Sequence, residues 1–386
     1  MLKILTVFGT RPEAIKMAPV IAELERHPEQ IENRNCLTGQ HKDMVTSLID
    51  LFDIRVDYDL ELMRKNQTLE HITVCVLQEV GKILREKKFD LILVQGDTTT
   101  SMAAALAAFY AGVKIGHIEA GLRTFDKQHP YPEESNRKII DSVADLFFAH
   151  TEMAKGHLLN EGIAETAIAV TGNTVIDALV DVAARPFKFS GSPLEGLPFD
   201  SRKIILVTAH RRESFGGPFE NICQGFKELA VKYQDEVVLV YPVHRNPNVR
   251  QVVNKVLGGL DNVRLIDPLD YLPLVHLMQR SYLVLTDSGG LQEEAPSLGK
   301  PVLVMRKVTE RQEGVAAGTV KVIGTDFERI VKETSRLLNN ESAYRDMASK
   351  VNPYGDGTAA IQIVQRILED EKNCQQGCND LAGEPS

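Results

Sequence analysis

Short runs of branched aliphatic residues alternate with longer amphipathic segments along the whole 386-residue chain, and this rhythm constrains the fold more than any other feature. Runs such as Lys3–Phe8, Leu91–Gln95, Lys114–Ile118 and Leu146–Ala149 are largely apolar without strict alternation, as strands covered on both faces must be. Between them, Glu13–Arg26, Leu69–Glu86, Thr99–Tyr110 and Glu134–Val143 read as helices. Alternating β and α segments predict an α/β fold built on parallel sheets.

The rhythm breaks once. Residues 186–202 are dense in Pro, Gly and Ser and read as a linker. It then restarts with strands over Lys203–Thr208, Glu236–Pro242, Asn262–Ile266, Tyr282–Thr286, Pro301–Met305 and Val320–Ile323. The expectation is two doubly wound, Rossmann-like domains, 1–185 and 203–356. Open α/β sheets take ligands at the carboxyl ends of their strands, so the active site is expected in a cleft between the domains. An amphipathic helix over 357–371 is expected to cross back onto the first domain. The polar stretch 372–386, with Cys374 and Cys378, reads as a disordered tail holding two incidental thiols.

Composition narrows the class. Lys and Arg number 44 against 53 Asp and Glu, a net charge of −9, which argues against broad binding to nucleic acid or anionic membrane. Any phosphate must therefore meet a local cluster of cations. Five scattered cysteines suit a reducing cytosol. The longest apolar stretch, Ala103–Val113, is too short to span a bilayer, and no secretory pattern precedes the first strand, so a cytoplasmic enzyme is expected. Neither H-E-x-x-H nor paired C-x-x-C spacing occurs, G-x-G-x-x-G does not follow the first strand, and G-x-S-x-G is missing. These patterns predict no metal, no nicotinamide cofactor and no serine hydrolase.

Strand ends carry the chemistry. The first leads into Gly9-Thr10-Arg11-Pro12, with Lys16 a turn further on, so two cations flank a helix N-terminus suited to phosphate. Asp97 and Glu119 follow or end two further strands, and Glu133 and Glu134 start a helix. A purely structural role would make Asp97 a helix cap and pair Glu133 with Arg137 four residues on. Several carboxylates at neighbouring strand mouths, however, form a candidate acid/base set. In the second half, His210 with Arg211, and His244 with Arg245, follow two strands and suit an anionic ligand. Thr286-Asp287-Ser288-Gly289-Gly290-Leu291-Gln292-Glu293-Glu294 opens a helix whose glycines let backbone N–H groups approach a diphosphate. Glu294 lies about a turn in, where a carboxylate can accept both hydroxyls of a ribose. Arg306, Lys307 and Arg311 add positive charge after the next strand.

The ordered motifs F-G-T-R-P-E-A-I-K, Q-G-D-T-T-T, G-H-I-E-A-G-L-R-T, P-E-E-S-N-R, T-G-N-T-V-I-D-A-L, H-R-R-E-S-F-G, L-T-D-S-G-G-L-Q-E-E-A-P and N-P-Y-G-D-G together resemble the non-hydrolysing UDP-N-acetylglucosamine 2-epimerase family, of glycosyltransferase-B-type fold. The resemblance runs from about Lys3 to Gly357. It implies interconversion of UDP-GlcNAc and UDP-ManNAc, without a cofactor, through elimination of UDP to 2-acetamidoglucal and re-addition. It also implies Asp97, Glu119 and Glu133 as acid/base residues, with His210 a further catalytic candidate beside the diphosphate. Arg11, Lys16, His210, Ser288, Gly289, Gly290 and Arg311 would hold the UDP-sugar, and Glu294 its ribose. A homodimer is the family expectation.

Gln40, His41, Glu134, Arg211 and His244 match positions of an allosteric UDP-GlcNAc site in bacterial members. Asp43 and Asn66 stand where Gln and Arg are expected, and an Asp there repels a diphosphate. The stretch Phe125–His129 lies where relatives with other sugar substituents differ, so a UDP-2,3-diacetamido sugar is an alternative substrate. A transferase of the same architecture, a hydrolysing epimerase and a silent nucleotide-sugar sensor are the other readings. The intact acids Asp97, Glu119 and Glu133 favour the epimerase.

Overall fold

The computed structural model describes residues 1–39, 42–62, 64, 67–211 and 214–382. The chain divides into two compact units, Met1–Ala178 with Tyr354–Ser386, and Leu179–Pro353.

In the first unit seven strands form one sheet: β1 (Leu2–Phe8), β2 (Ile31–Leu37), β3 (Tyr58–Asp59), β4 (Leu91–Gln95), β5 (Lys114–Ala120), β6 (Leu146–Ala149) and β7 (Ile168–Val170). Their order is β3-β2-β1-β4-β5-β6-β7, and every pairing is parallel. Strands β1 and β4 are buried because helices cover both faces, so Leu5, Val7, Ile92 and Val94 pack with Val76, Val80, Ala104 and Ala108. The order reverses between β1 and β4, and doubly wound sheets bind ligands outside such a switch point.

The second unit repeats the plan with β8 (Lys203–Thr208), β9 (Val237–Pro242), β10 (Val263–Ile266), β11 (Leu283–Thr286), β12 (Val302–Val304) and β13 (Val320–Val322). The order β10-β9-β8-β11-β12-β13 is again all parallel, with its switch point between β8 and β11. Its core joins Ile205, Val207, Leu239 and Leu285 to Phe219, Phe226, Val253 and Ile330 from the helices.

Two features differ from the sequence reading. The stretch 186–202 belongs to the second unit, because its phenylalanines have partners there. Phe187 stacks on His276 with ring centres 4.8 Å apart, and Phe189 meets Phe199 at 4.9 Å. The chain passes from the first unit to the second within the helix Thr174–Ala184. Secondly, the last helix runs over Ala359–Ala382, well beyond residue 371, so Lys372–Ala382 is helical where disorder was expected. No proline interrupts this segment, and a single glycine, Gly377, weakens a helix without ending it. Its Ile363, Val364 and Ile367 are buried, and it packs on the helix Arg11–Glu25 of the first unit.

Candidate active-site residues in each unit

In the first unit the site residues gather where β1, β4 and β5 end. The helix Arg11–Glu25 starts directly after β1, with Pro12 in its first turn. Glu13 is buried, and its carboxylate accepts the backbone N–H groups of Gly9 and Thr10 at 3.0 and 2.7 Å. The same carboxylate accepts the hydroxyls of Thr98 and Ser101 at 2.6 and 2.7 Å, locking the loops after β1 and β4 together. Thr98, not Asp97, caps the helix Thr99–Ala111, which leaves the Asp97 side chain for other work.

Glu119 is the most constrained of the acids. It adopts φ +67° at a register shift between β5 and β6, and a non-glycine residue there costs about 1–3 kcal/mol. Its carboxylate, 8% exposed as a residue, accepts Lys16 Nζ at 2.5 Å and Asn173 Nδ2 at 3.2 Å, and also the Gln95 amide. Gly121, two residues on, has φ +82° and runs so close to the helix Glu152–Asn160 that a Cβ would lie 2.3 Å from the Ala154 carbonyl oxygen.

Arg137 does not serve Glu133. Its Nε and Nη2 both donate to one oxygen of Asp97, at 2.9 and 2.6 Å, and its Nη1 donates to Glu134 at 3.0 Å. The inward face of the helix Glu133–Val143 carries Asn136 and Arg137 to the end of β4, where Asn136 Nδ2 donates to the Asp97 carbonyl at 2.8 Å. The Asp97 side chain keeps 27% of its surface exposed. Glu134 is buried and also accepts the N–H groups of Thr124 and Phe125 at 2.9 and 3.0 Å, so it shapes the loop beside the acids. Glu133 is the half-buried first residue of its helix.

Behind these acids lies a buried polar chain. Between them, the His117 ring nitrogens meet Asp141 at 2.5 Å and the Gly96 carbonyl at 2.8 Å. Asp141 also accepts Arg123 at 2.5 Å. Burial alone raises the Asp141 carboxyl, but His117 and Arg123 outweigh it and hold the group below its ordinary range. His117 thereby ties β5 to the turn that carries Asp97.

In the second unit the corresponding ends of β8 and β11 assemble the candidate anion-binding residues. Helix Gly289–Ser297 begins with the two glycines. A Cβ on Gly289 would lie 3.7 Å from the Arg311 guanidinium and 3.8 Å from that of Arg211, so both cations stand over the helix N-terminus. Ser288 precedes this helix as its N-cap residue. Each residue of Gln292-Glu293-Glu294 has a separate partner. Gln292 binds the Ser288 carbonyl at 2.9 Å and Thr309 at 2.6 Å, and Glu293 accepts Arg311 Nε at 2.5 Å. Glu294 accepts the Tyr271 hydroxyl at 2.7 Å. Arg306, read as adding positive charge here, is buried with Glu310 at 2.8 Å.

His210 follows β8, and its ring stacks on that of His244 with centres 5.0 Å apart and planes 5° from parallel. Burial lowers the His244 value, the neighbouring His210 adds to this, and Asp287 opposes it. Arg11 and Lys16 lie on the first unit, whereas His210, Arg211, His244, Ser288, Gly289, Gly290, Glu294 and Arg311 lie on the second. Of the allosteric candidates, Gln40 and His41 fall outside the described residues, as does Asn66. Sequence reasoning assigned no role to Glu13, Asn173, Tyr271 or Asp287, although Glu13 lies within the first-strand motif and Asp287 within the Thr286–Glu294 motif.

Two parallel, Rossmann-like units with acids at one switch point and a glycine-started helix under two arginines at the other define an α/β enzyme for anionic nucleotide ligands. A family model described as UDP-N-acetylglucosamine 2-epimerase matches residues 22–368, and the chain belongs to that enzyme family. It is 52% identical over 379 residues to the UDP-N-acetylglucosamine 2-epimerase of Yersinia pestis, covering 97% of this chain and 99% of the relative. The enzyme of the same name from Escherichia coli K12 is 52% identical over 377 residues, covering 96% and 99%. Among solved structures, UDP-GlcNAc 2-epimerase from Neisseria meningitidis bound to UDP-GlcNAc superposes with a TM-score of 0.89 at 48% identity, covering 95% of this chain and all of that one.

Proposed function

We propose that this enzyme interconverts UDP-GlcNAc and UDP-ManNAc without hydrolysis. The supporting observation is the Glu119 carboxylate, buried, backbone-strained and gripped by Lys16, Gln95 and Asn173, one strand away from the Arg137-clamped Asp97. Inverting C2 of a sugar whose C2 proton is only weakly acidic requires a route that makes the proton easier to remove. Elimination supplies it: a carboxylate takes the C2 proton, the C–H electron pair becomes the C1=C2 bond of 2-acetamidoglucal, and the C1–O pair departs with UDP. Return of a proton to the other face of C2, with attack of UDP oxygen on C1, completes epimerisation and consumes no water.

The reaction needs acids able to serve opposite faces of C2, and Asp97, Glu119 and Glu133 are the candidates. UDP must stay bound while detached. The Gly289 helix start with Arg211, Arg311 and His210 holds the diphosphate, Glu294 holds the ribose, and Arg11 and Lys16 supply further positive charge.

The enzyme works as a cytoplasmic homodimer in this reading, supplying UDP-ManNAc for polysaccharide synthesis. Val74, Phe109 and Tyr110 are 50%, 55% and 71% exposed on adjacent helices of the first unit, an apolar surface suited to a second copy. Cys36 and Cys223 are free thiols, pushed up to about 12 by burial, consistent with a reducing compartment.

Supplying the proposed intermediate tests the route. Purified enzyme given UDP and 2-acetamidoglucal is expected to form both UDP-GlcNAc and UDP-ManNAc. Formation of neither, by an enzyme that epimerises UDP-GlcNAc in parallel, would overturn the elimination mechanism.

A further inference from the structure

Asp287 is the first residue after β11 and is fully buried. One carboxylate oxygen accepts the backbone N–H groups of both His210 and Arg211, at 2.7 and 2.8 Å. The other oxygen is buried, has no hydrogen-bond partner among the described residues, and lies 3.6 Å from Nδ1 of the His210 ring. A buried carboxylate half satisfied in this way is costly, and the 3.6 Å gap is about half an ångström beyond a normal N–H···O bond. The nearby Tyr241 hydroxyl is committed to the Ala209 carbonyl, and His244 lies stacked on the outer ring. Thus the same side chain that fixes the backbone of His210 also has an acceptor aimed at its ring.

We propose that Asp287 is the positioning residue for His210. A small rotation of the ring, once the diphosphate is seated, closes the gap to a hydrogen bond. Nδ1–H then points to Asp287, and Nε2 is presented to the departing UDP. The His244 ring, stacked at 5.0 Å and 5° from parallel, backs one face of the His210 ring. Arg211, the adjacent residue, is fixed by the same carboxylate oxygen, so diphosphate and imidazole are aligned from one anchor. This inference rests on the proposed handling of UDP by the second unit.

The experiment is a double-mutant cycle on Asp287→Asn and His210→Asn, read in epimerisation kcat and in UDP Kd by calorimetry. In the wild-type background D287N is expected to lower kcat roughly 10- to 100-fold, while in the H210N background it lowers it less than about twofold further. Equal losses in both backgrounds, in kcat and in UDP affinity alike, would make Asp287 structural only. Nitrogen-15 NMR of the histidines in wild-type, UDP-bound enzyme needs no variant to fold. It is expected to show His210 Nδ1 protonated and hydrogen-bonded, and an unprotonated Nδ1 would overturn the proposal. Wild-type enzyme that binds no UDP and turns over no UDP-GlcNAc would instead overturn the functional reading beneath it.

Discussion

Lys16 reaches from the first helix to the end of the fifth strand and donates to Glu119 at 2.5 Å, with both side chains nearly buried. In the mechanism proposed above, the pair joins a cation assigned to the diphosphate to a carboxylate assigned to proton transfer.

Glu119→Gln keeps the shape and the Asn173 contact but removes the base. It is expected to lower kcat by about 10²- to 10⁴-fold. Lys16→Met leaves Glu119 charged and short of its cation, which is expected to destabilise the fold by about 3–5 kcal/mol. Urea melts should therefore show K16M less stable than E119Q. A ranking in the opposite order would mean that Lys16 contributes little to holding Glu119.

Tyr271→Phe removes a hydroxyl that Glu294 accepts. If Glu294 holds the ribose as proposed, loss of this donor is expected to cost about 1–2 kcal/mol, roughly 10-fold in UDP affinity. A 2′-deoxyuridine diphosphate, lacking one of the hydroxyls that Glu294 would hold, should lose much less. Equal losses for both ligands in calorimetry would remove Glu294 from the ribose.

Gly121→Ala places a Cβ 2.3 Å from the Ala154 carbonyl oxygen at φ +82°. Both effects act together, so a loss of about 3 kcal/mol or more is expected in chemical denaturation. A well-folded G121A of wild-type stability would show that the strand end bearing Glu119 can move freely.

The acid limb of stability has an identifiable contributor. Burial tends to raise the Glu310 carboxyl, but Arg306 at 2.8 Å outweighs this and holds it at about 2, against an ordinary 4.5. The unfolded chain therefore binds this proton first as pH falls. The stabilisation, about 3 kcal/mol, is complete above about pH 5 and is lost as pH falls through about 2. Glu310→Gln should be less stable than wild type at pH 7, with the difference shrinking steadily below pH 4. A difference independent of pH would assign the effect to packing.

The positions of these residues were legible in the sequence to unequal degrees. Leu91–Gln95 and Lys203–Thr208 are observed with the bounds read from their apolar runs, because strands buried on both faces leave an unmistakable pattern. Strand β3 was missed, since Tyr58–Asp59 is a two-residue edge pairing with no pattern of its own, and the short helices Gln312–Ala317 and Glu341–Ala348 gave too few turns to show a period. Asp97, Glu119 and Glu294 could be singled out because a strand end or helix start marks them locally. Their partners could not. Arg137 matches Glu133 by helical spacing, yet it turns to Asp97, 40 positions away, because its helix faces the sheet mouth. Asn173 meets Glu119 across 54 positions and Tyr271 meets Glu294 across 23, separations that no local pattern encodes.

The central claim is that C2 loses its proton, and UDP departs and returns, within the enzyme. Proton NMR of UDP-GlcNAc with the purified protein in D2O tests it most directly. The account predicts UDP-ManNAc rising to a plateau, deuterium appearing at C2 of the product, and no accumulation of free ManNAc. Epimer forming with its C2 proton retained, or free sugar and UDP growing in step, would contradict it.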